Sequence, residues 1–229
     1  MPRTARSIVA GYCYHVLNRA NNRARIFHDY SDYAAFTGLI AAAQQRHPVP
    51  LLAACMMPNH IHLVFQPLAD ADLGRWMHWL FTTHVSRHRR KYQSVGRLWQ
   101  GRFKASAIQR DHHLLTVMRY VERNAMRANL VSRAEDWAWG SLNWRVRGHP
   151  LVTPQPSPVP LPENWTELVN KAQTAEELQS LRDSINRQRP IGSESWVNCA
   201  VNALGMQSSI NPAGRPEDPI RIEVLRKIR

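Results

Sequence analysis

Met57-Pro58-Asn59-His60-Ile61-His62-Leu63-Val64-Phe65 sets a proline–asparagine pair between two apolar stretches and continues in strict alternation. Pro58 fixes its own φ and Asn59 accepts turn geometry, so the pair reads as a tight turn between a buried strand, Leu51 to Met57, and a second strand, His60 to Gln66. Alternate side chains of a strand share a face. Ile61, Leu63 and Phe65 therefore point into a core, and His60 and His62 stand together on the other face. Two imidazoles on one face are a natural pair of metal ligands, and the plainer reading is two solvent-facing histidines.

Upstream, Gly11 to Asn18 reads as a strand with Tyr12, Tyr14 and Val16 on one face, followed by a basic, polar loop from Asn18 to Arg25. Ser31 is predicted to cap a helix carrying Tyr33, Phe36, Ile40 and Ala43 at helical spacing and stopping before Pro48. Downstream, Asp70 or Asp72 opens a helix with Leu73, Trp76, Met77, Leu80, Phe81 and His84 along one stripe. A further strand follows over Phe103 to Ile108, and Asp111 opens another helix. The order strand, helix, strand, strand, helix, strand, helix predicts an α+β, ferredoxin-like antiparallel sheet with helices on one face.

Six prolines among residues 150 to 162 forbid helix and central strand there. The expected organisation is a catalytic or binding domain over 1–149, a Pro-rich linker over 150–163 and a small helical extension over 164–229. Within that extension Thr174 and Glu177 form a capping box, and Ser193 to Gly205 reads as a short helix with a glycine stop.

The chain has 229 residues and a net charge of +13. Residues 1–149 hold 21 Lys+Arg against 8 Asp+Glu, whereas residues 150–229 hold 9 of each. The basic excess thus lies wholly in the first domain, which predicts a polyanionic partner there and excludes a basic tail as its source. The longest apolar run, Leu51 to Met57, has seven residues, far short of the roughly 20 that span a bilayer, and no membrane partner is expected. The basic segment Met1 to Arg6 is not followed by an apolar run, so no signal peptide is expected. Cys13, Cys55 and Cys199 are widely spaced, which predicts a reducing compartment and no structural zinc.

A second constellation is Met118-Arg119-Tyr120-Val121-Glu122-Arg123-Asn124. At about 100° per residue Tyr120 lies roughly 130° from the centre of the stripe formed by Leu114, Leu115, Val117, Met118 and Val121, and is not an obvious core residue. Asn124 stands one turn along the same face and offers a carbonyl oxygen that could complete a metal site. Arg119, Arg123 and Arg127 form a basic edge beside it. Arg87, Arg89, Arg90, Lys91, Arg97, Arg102 and Lys104 cluster in a stretch free of Asp and Glu from Arg87 to Arg110, interleaved with Tyr92, Trp99 and Phe103. Such a pattern predicts a nucleic-acid track with aromatic stacking platforms.

These motifs together resemble the HUH single-tyrosine transposases (IS200-like), and more closely their REP-associated tyrosine transposase branch. The likeness rests on His60-Ile61-His62 in its Met-Pro-Asn-His setting and on Leu98-Trp99-Gln100-Gly101-Arg102-Phe103-Lys104. It rests further on Tyr120-Val121-Glu122-Arg123-Asn124 with Arg127-Ala128-Asn129-Leu130-Val131, and on Trp137-Ala138-Trp139-Gly140-Ser141. It covers about Gly11 to Leu142, with a weaker match at Arg189 to Ser193 and Trp196. Two positions depart from the family pattern. Ala125 stands where proline is usual, and Asn129 where glycine is usual, asparagine being the next best residue for a left-handed conformation.

The resemblance implies a nuclease and strand transferase acting on single-stranded hairpin DNA of REP-like repeats, in the bacterial cytoplasm at the nucleoid. Tyr120 would attack a phosphodiester to form a 5′-phosphotyrosine, and His60, His62 and, by position, Asn124 would hold one Mg²⁺ or Mn²⁺. DNA contacts would come from Arg87, Arg89, Arg90, Lys91, Arg97, Trp99, Arg102, Lys104, Arg119, Arg123 and Arg127. A monomer is favoured, with a dimer possible. Two alternatives stay open: a non-catalytic nucleic-acid-binding module on a ferredoxin-like fold, and a metal-dependent hydrolase using the two histidines and an activated water.

Overall fold

In the computed structural model, which describes residues 8–70 and 72–210, Pro58 and Asn59 join β2 (Leu51–Met57) to β3 (His60–Phe65) as an antiparallel hairpin. The turn is fixed from outside. The Pro58 carbonyl accepts from the N–H groups of Ile26 and Phe27, and the Asn59 carbonyl from that of Ala20. β1 (Cys13–Arg19) and β4 (Lys104–Ile108) complete a sheet of order β2-β3-β1-β4 in which every neighbouring pair is antiparallel. With α1 (Tyr30–Arg46) and α2 (Asp72–Tyr92) as crossovers, this is the ferredoxin-like arrangement expected from the element order.

The cap of α1 lies two residues before the predicted one. The N-cap is Asp29, whose Oδ1 accepts the Asp32 N–H at 3.0 Å, while the Ser31 hydroxyl donates to the same oxygen at 2.7 Å. The carboxylate wins because it reaches the free amide three residues on with a full charge, a contact of about 1 kcal/mol. α2 buries Leu73, Trp76, Met77, Leu80, His84 and His88.

Helices cover both faces of the sheet rather than one. Tyr14, Val16, Ile61, Leu63 and Phe65 pack with α1 and α2 residues such as Phe36, Ile40, Trp76 and Leu80. On the opposite face Cys13, Leu17, Cys55, Met57, Val64 and Ile108 pack with α3 (His112–Glu122) and with residues of the C-terminal extension. The reason is legible in β2, an unbroken apolar run whose two faces must both leave water.

Residues 150–163 lie against the first domain. Val152 is buried in the core, and the Gln155 N–H donates to the Leu51 carbonyl at 2.8 Å. Beyond them come α6 (Trp165–Asn170), α7 (Ala175–Arg187) and α8 (Glu194–Ala203), preceded in the chain by the short helices α4 (Asn124–Arg127) and α5 (Ser141–Arg147). The Thr174–Glu177 capping box is formed, and Ser193 caps α8. Trp165, Val169, Leu181 and Ile185 enter the same hydrophobic cluster as α3.

Both sheet edges are covered, which removes them as templates for another strand. The Trp139 carbonyl accepts the Met56 N–H on the β2 side, and Ile191 exchanges hydrogen bonds with Ala107 and Gln109 on the β4 side. The basic start Met1 to Arg6 and residues 211–229 of the extension lie outside the described residues.

Candidate active site

Asp111 caps α3 as expected, accepting the His113 N–H at 2.8 Å, and Leu114, Val117, Met118 and Val121 lay that helix on the sheet. Tyr120 is only 6% exposed, although the helical wheel leaves it off the apolar stripe. It joins the aliphatic cluster of α3 and the sheet and meets imidazoles as well. Its ring meets those of His62 at 5.7 Å and His15 at 6.4 Å, both edge-on, and the Arg127 guanidinium lies over the ring 4.3 Å from its centre. A cation over an aromatic face contributes about 0.5–2 kcal/mol and also fixes the ring.

His60 and His62 share a face as the alternation required, but that face is roofed by α3 and His62 is buried. Each uses its Nδ1 internally. His60 Nδ1 lies 2.6 Å from Asn59 Oδ1, so its N–H donates there, and His62 Nδ1 lies 2.8 Å from His15 Nε2. In the tautomer where His62 donates to His15, both residues keep an Nε2 lone pair for a ligand. Burial, helped by the charges of Arg19 and Arg127, pushes His60 down to about 4. Burial pushes His15 down to about 3, and burial with its charged and imidazole neighbours holds His62 well below the usual imidazole range. The imidazoles are therefore neutral near pH 7, the state in which they bind metal.

The donor set suits a divalent ion in part. Two pre-oriented, neutral imidazoles fit Mn²⁺ at least as well as Mg²⁺. Asn124 is buried one turn beyond Tyr120, yet its Oδ1 accepts from Arg127 and its Nδ2 donates to the Tyr120 carbonyl at 3.2 Å. The Asn124 carbonyl oxygen is thus engaged by Arg127. α4 begins after a single interruption at Arg123, so the chain continues nearly helically through the Ala125 position, and Asn129 takes the left-handed conformation (φ 55°) expected of it.

The predicted DNA contacts divide by environment. Arg87, Arg89, Arg90, Arg97 and Arg102 are exposed. Lys91 instead binds Asp29 and Asp32 at 2.9 and 2.7 Å, tying α2 to the start of α1. Trp99 is buried between Phe36, Phe81 and His84, Phe103 is buried in the same cluster, and the Tyr92 hydroxyl donates to Asp32. These aromatics are core and clamp, because the segment that carries them folds back over α2 rather than out into solvent. Arg119 donates to the Lys171 and Ala172 carbonyls, and Arg123 to those of Val169 and Asn170, so both cap the C-terminal end of α6.

Two residues absent from the sequence-based site belong to it. His15 orients His62, and Arg19 stands directly across from His60 in the β1–β3 register. Lys104, across from Leu17 on β4, joins Arg19, Gln100 and Arg102 in lining a cleft of about 350 Å³, together with Gln188 and Asn186 of the extension, whose Asn186 carbonyl accepts from Lys104 Nζ at 2.9 Å. The signal for both residues was the alternation Cys13, His15, Leu17, Arg19. Only strand pairing reveals which residues of β3 they meet.

The chain was compared with known proteins. A family model described as transposase IS200-like matches residues 8–124, which include the hairpin, the histidines, Tyr120 and Asn124. A protein of Haemophilus influenzae named as a REP-associated tyrosine transposase is 28% identical over 114 residues. That match spans 45% of this chain and 64% of the relative, so less than two thirds of the relative's length is represented. A solved structure of a REP-associated tyrosine transposase bound to a REP hairpin superposes with a TM-score of 0.52 at 18% identity. It covers 76% of this chain and 93% of that one, a likeness of fold that reaches beyond the sheet into the extension. Since the family model takes in over half of the residues, among them His15, His60, His62 and Tyr120, the chain belongs to the IS200-like transposase family.

Proposed function

We propose that the protein cleaves and rejoins single-stranded, REP-type hairpin DNA, with Tyr120 as nucleophile and a 5′-phosphotyrosine intermediate. The observation that carries this reading is the seat of Tyr120 beside the His15–His62 pair and Arg127, with Arg19 across from His60 in the strand register. The phenol oxygen forms a bond to phosphorus while the bond to the 3′ oxygen breaks, and the proton lost by the phenol ends on the departing 3′-OH. Because the phosphodiester is exchanged for a phosphotyrosyl ester of similar energy, the same step run backwards joins strands.

His60 and His62 would hold one Mg²⁺ or Mn²⁺, with Asn124 as a third ligand, and a bound ion supplies charge stabilisation at the phosphate oxygens. Arg127 brings a second positive charge beside Tyr120, and the cleft residues Arg19 and Lys104 attract the backbone that leads to it. His15 acts through His62 by holding its ring and tautomer. The seat of Tyr120 on histidines of its own chain supports a working monomer. No helix among the described residues is long and apolar enough to cross a membrane.

The test is incubation with 5′- or 3′-labelled hairpin DNA and Mn²⁺, followed by denaturing electrophoresis. A protein–DNA adduct should form and vanish in Tyr120→Phe. Tight binding with no adduct would overturn the reading in favour of a non-catalytic binder, and cleavage retained by Tyr120→Phe but lost in His60→Ala would favour a hydrolase using activated water.

A further inference from the structure

We propose that Asp111, His112 and His113 form a second metal site, one for a borderline transition ion such as Zn²⁺, at the N-terminal turn of α3. One ligand atom from each residue lies within 4.8 Å of the other two. His113 Nδ1 is 2.7 Å from Asp111 Oδ1, His112 Nδ1 is 3.7 Å from Asp111 Oδ2, and the two rings are 4.0 Å apart. The His112 separation is too long for a hydrogen bond. It leaves an imidazole nitrogen and a carboxylate oxygen facing each other with room for an ion to bind both. Two imidazoles and one carboxylate are a donor set for Zn²⁺.

The cluster opens through His112 and His113 on a cavity of about 470 Å³ between α3, α7 and α8, lined also by Glu177, Arg189 and Glu194, from which water can complete the coordination. The site is independent of the transposase reading and distant from its histidines, since Tyr120 lies eight residues, or about 12 Å, further along α3. Its position gives an ion a structural consequence. Asp111 already caps α3, and Gln109, two residues earlier, accepts the Ser193 N–H on Oε1 at 2.8 Å and donates its own N–H to Ile191. An ion here fixes the first turn of the helix that carries Tyr120 together with the strand edge that the extension covers.

The test uses the full-length, tag-free chain stripped with chelator. Zn²⁺ binding is measured by equilibrium dialysis with elemental analysis and by calorimetry, for the wild type, for His112→Ala/His113→Ala and for Asp111→Asn, which keeps a helix cap. Both variants are expected to lose one equivalent of Zn²⁺, or to bind it at least tenfold more weakly. The double variant should lose the Zn²⁺-dependent rise in Tm while its metal-free circular dichroism and Tm stay unchanged. Measurement in a His60→Ala background separates the two histidine sites: the equivalent that depends on His112 and His113 should persist there. Unchanged stoichiometry and affinity in both variants, or no Zn²⁺ bound by the wild type, would overturn the proposal.

Discussion

Glu122 stands two residues from Tyr120 and has no solvent-accessible side-chain surface. Its carboxylate accepts from the Ser141 hydroxyl at 2.6 Å, from Trp165 Nε1 at 2.7 Å and from Arg145 Nε at 3.3 Å, so it joins α3 to α5 and to the C-terminal extension. Ser141 in turn accepts the Ala54 N–H of the edge strand at 2.9 Å. Replacing Glu122 with alanine leaves a buried indole N–H without an acceptor and a largely buried guanidinium without its counter-charge. An orphaned buried donor costs about 1–3 kcal/mol, and breaking a buried ion pair from one side about 3–5 kcal/mol. Since the terms share the same carboxylate, the expected loss is about 4–6 kcal/mol, much of the roughly 5–15 kcal/mol that holds a typical domain. Glu122→Gln keeps shape and one carbonyl, and is expected to cost about 2 kcal/mol. Urea unfolding of the full chain, followed by tryptophan fluorescence and circular dichroism, gives both numbers. Combining Glu122→Gln with Trp165→Phe in a double-mutant cycle should show a coupling of about 1–2 kcal/mol. A loss below 1 kcal/mol for Glu122→Ala, or strict additivity in the cycle, would refute the idea that this carboxylate locks the extension to the tyrosine helix.

Acid should destabilise the fold through His15 and His84, which burial pushes down to about 3. Both take up protons near pH 6.5 only when unfolded, so stability is lost as pH falls from about 6.5 toward 3, by roughly 3–4 kcal/mol for the pair at pH 5; a flat unfolding free energy between pH 7 and 5 in chelator would contradict this. Among the basic residues, Arg19→Gln and Lys104→Gln should each reduce the salt slope of hairpin binding by about 1, whereas Lys91→Gln should lower Tm and leave the slope unchanged. Titrations at four salt concentrations would check this, and a reduced slope for Lys91→Gln would return that residue to the DNA track. A Cβ at Gly192 would fall 2.5 Å from Trp196 Cε3 and 2.6 Å from Gln109 Oε1, so Gly192→Ala should cost about 1–3 kcal/mol by thermal unfolding.

The element order, the Pro58-Asn59 turn, the shared face of His60 and His62, the Asp111 cap and the capping box at Thr174 are all legible in the amino-acid order. Each of these follows from interactions between residues a few positions apart, which is the range that periodicity and propensity express. The same order locates the basic excess in the first 149 residues. What each face meets depends on contacts between distant parts of the chain. His15 reaches His62 across 47 positions and Arg19 reaches His60 through strand register, and neither pairing has a local signal. The same non-local docking turned Trp99 from a stacking platform into core, gave Lys91 to the carboxylates of α1, and engaged Arg119 and Arg123 with the end of α6. Tyr120 is the clearest case: helical geometry placed it off the apolar stripe of its own helix, and it is buried because residues distant in sequence, aliphatic side chains of the sheet together with His15 and His62, close around it.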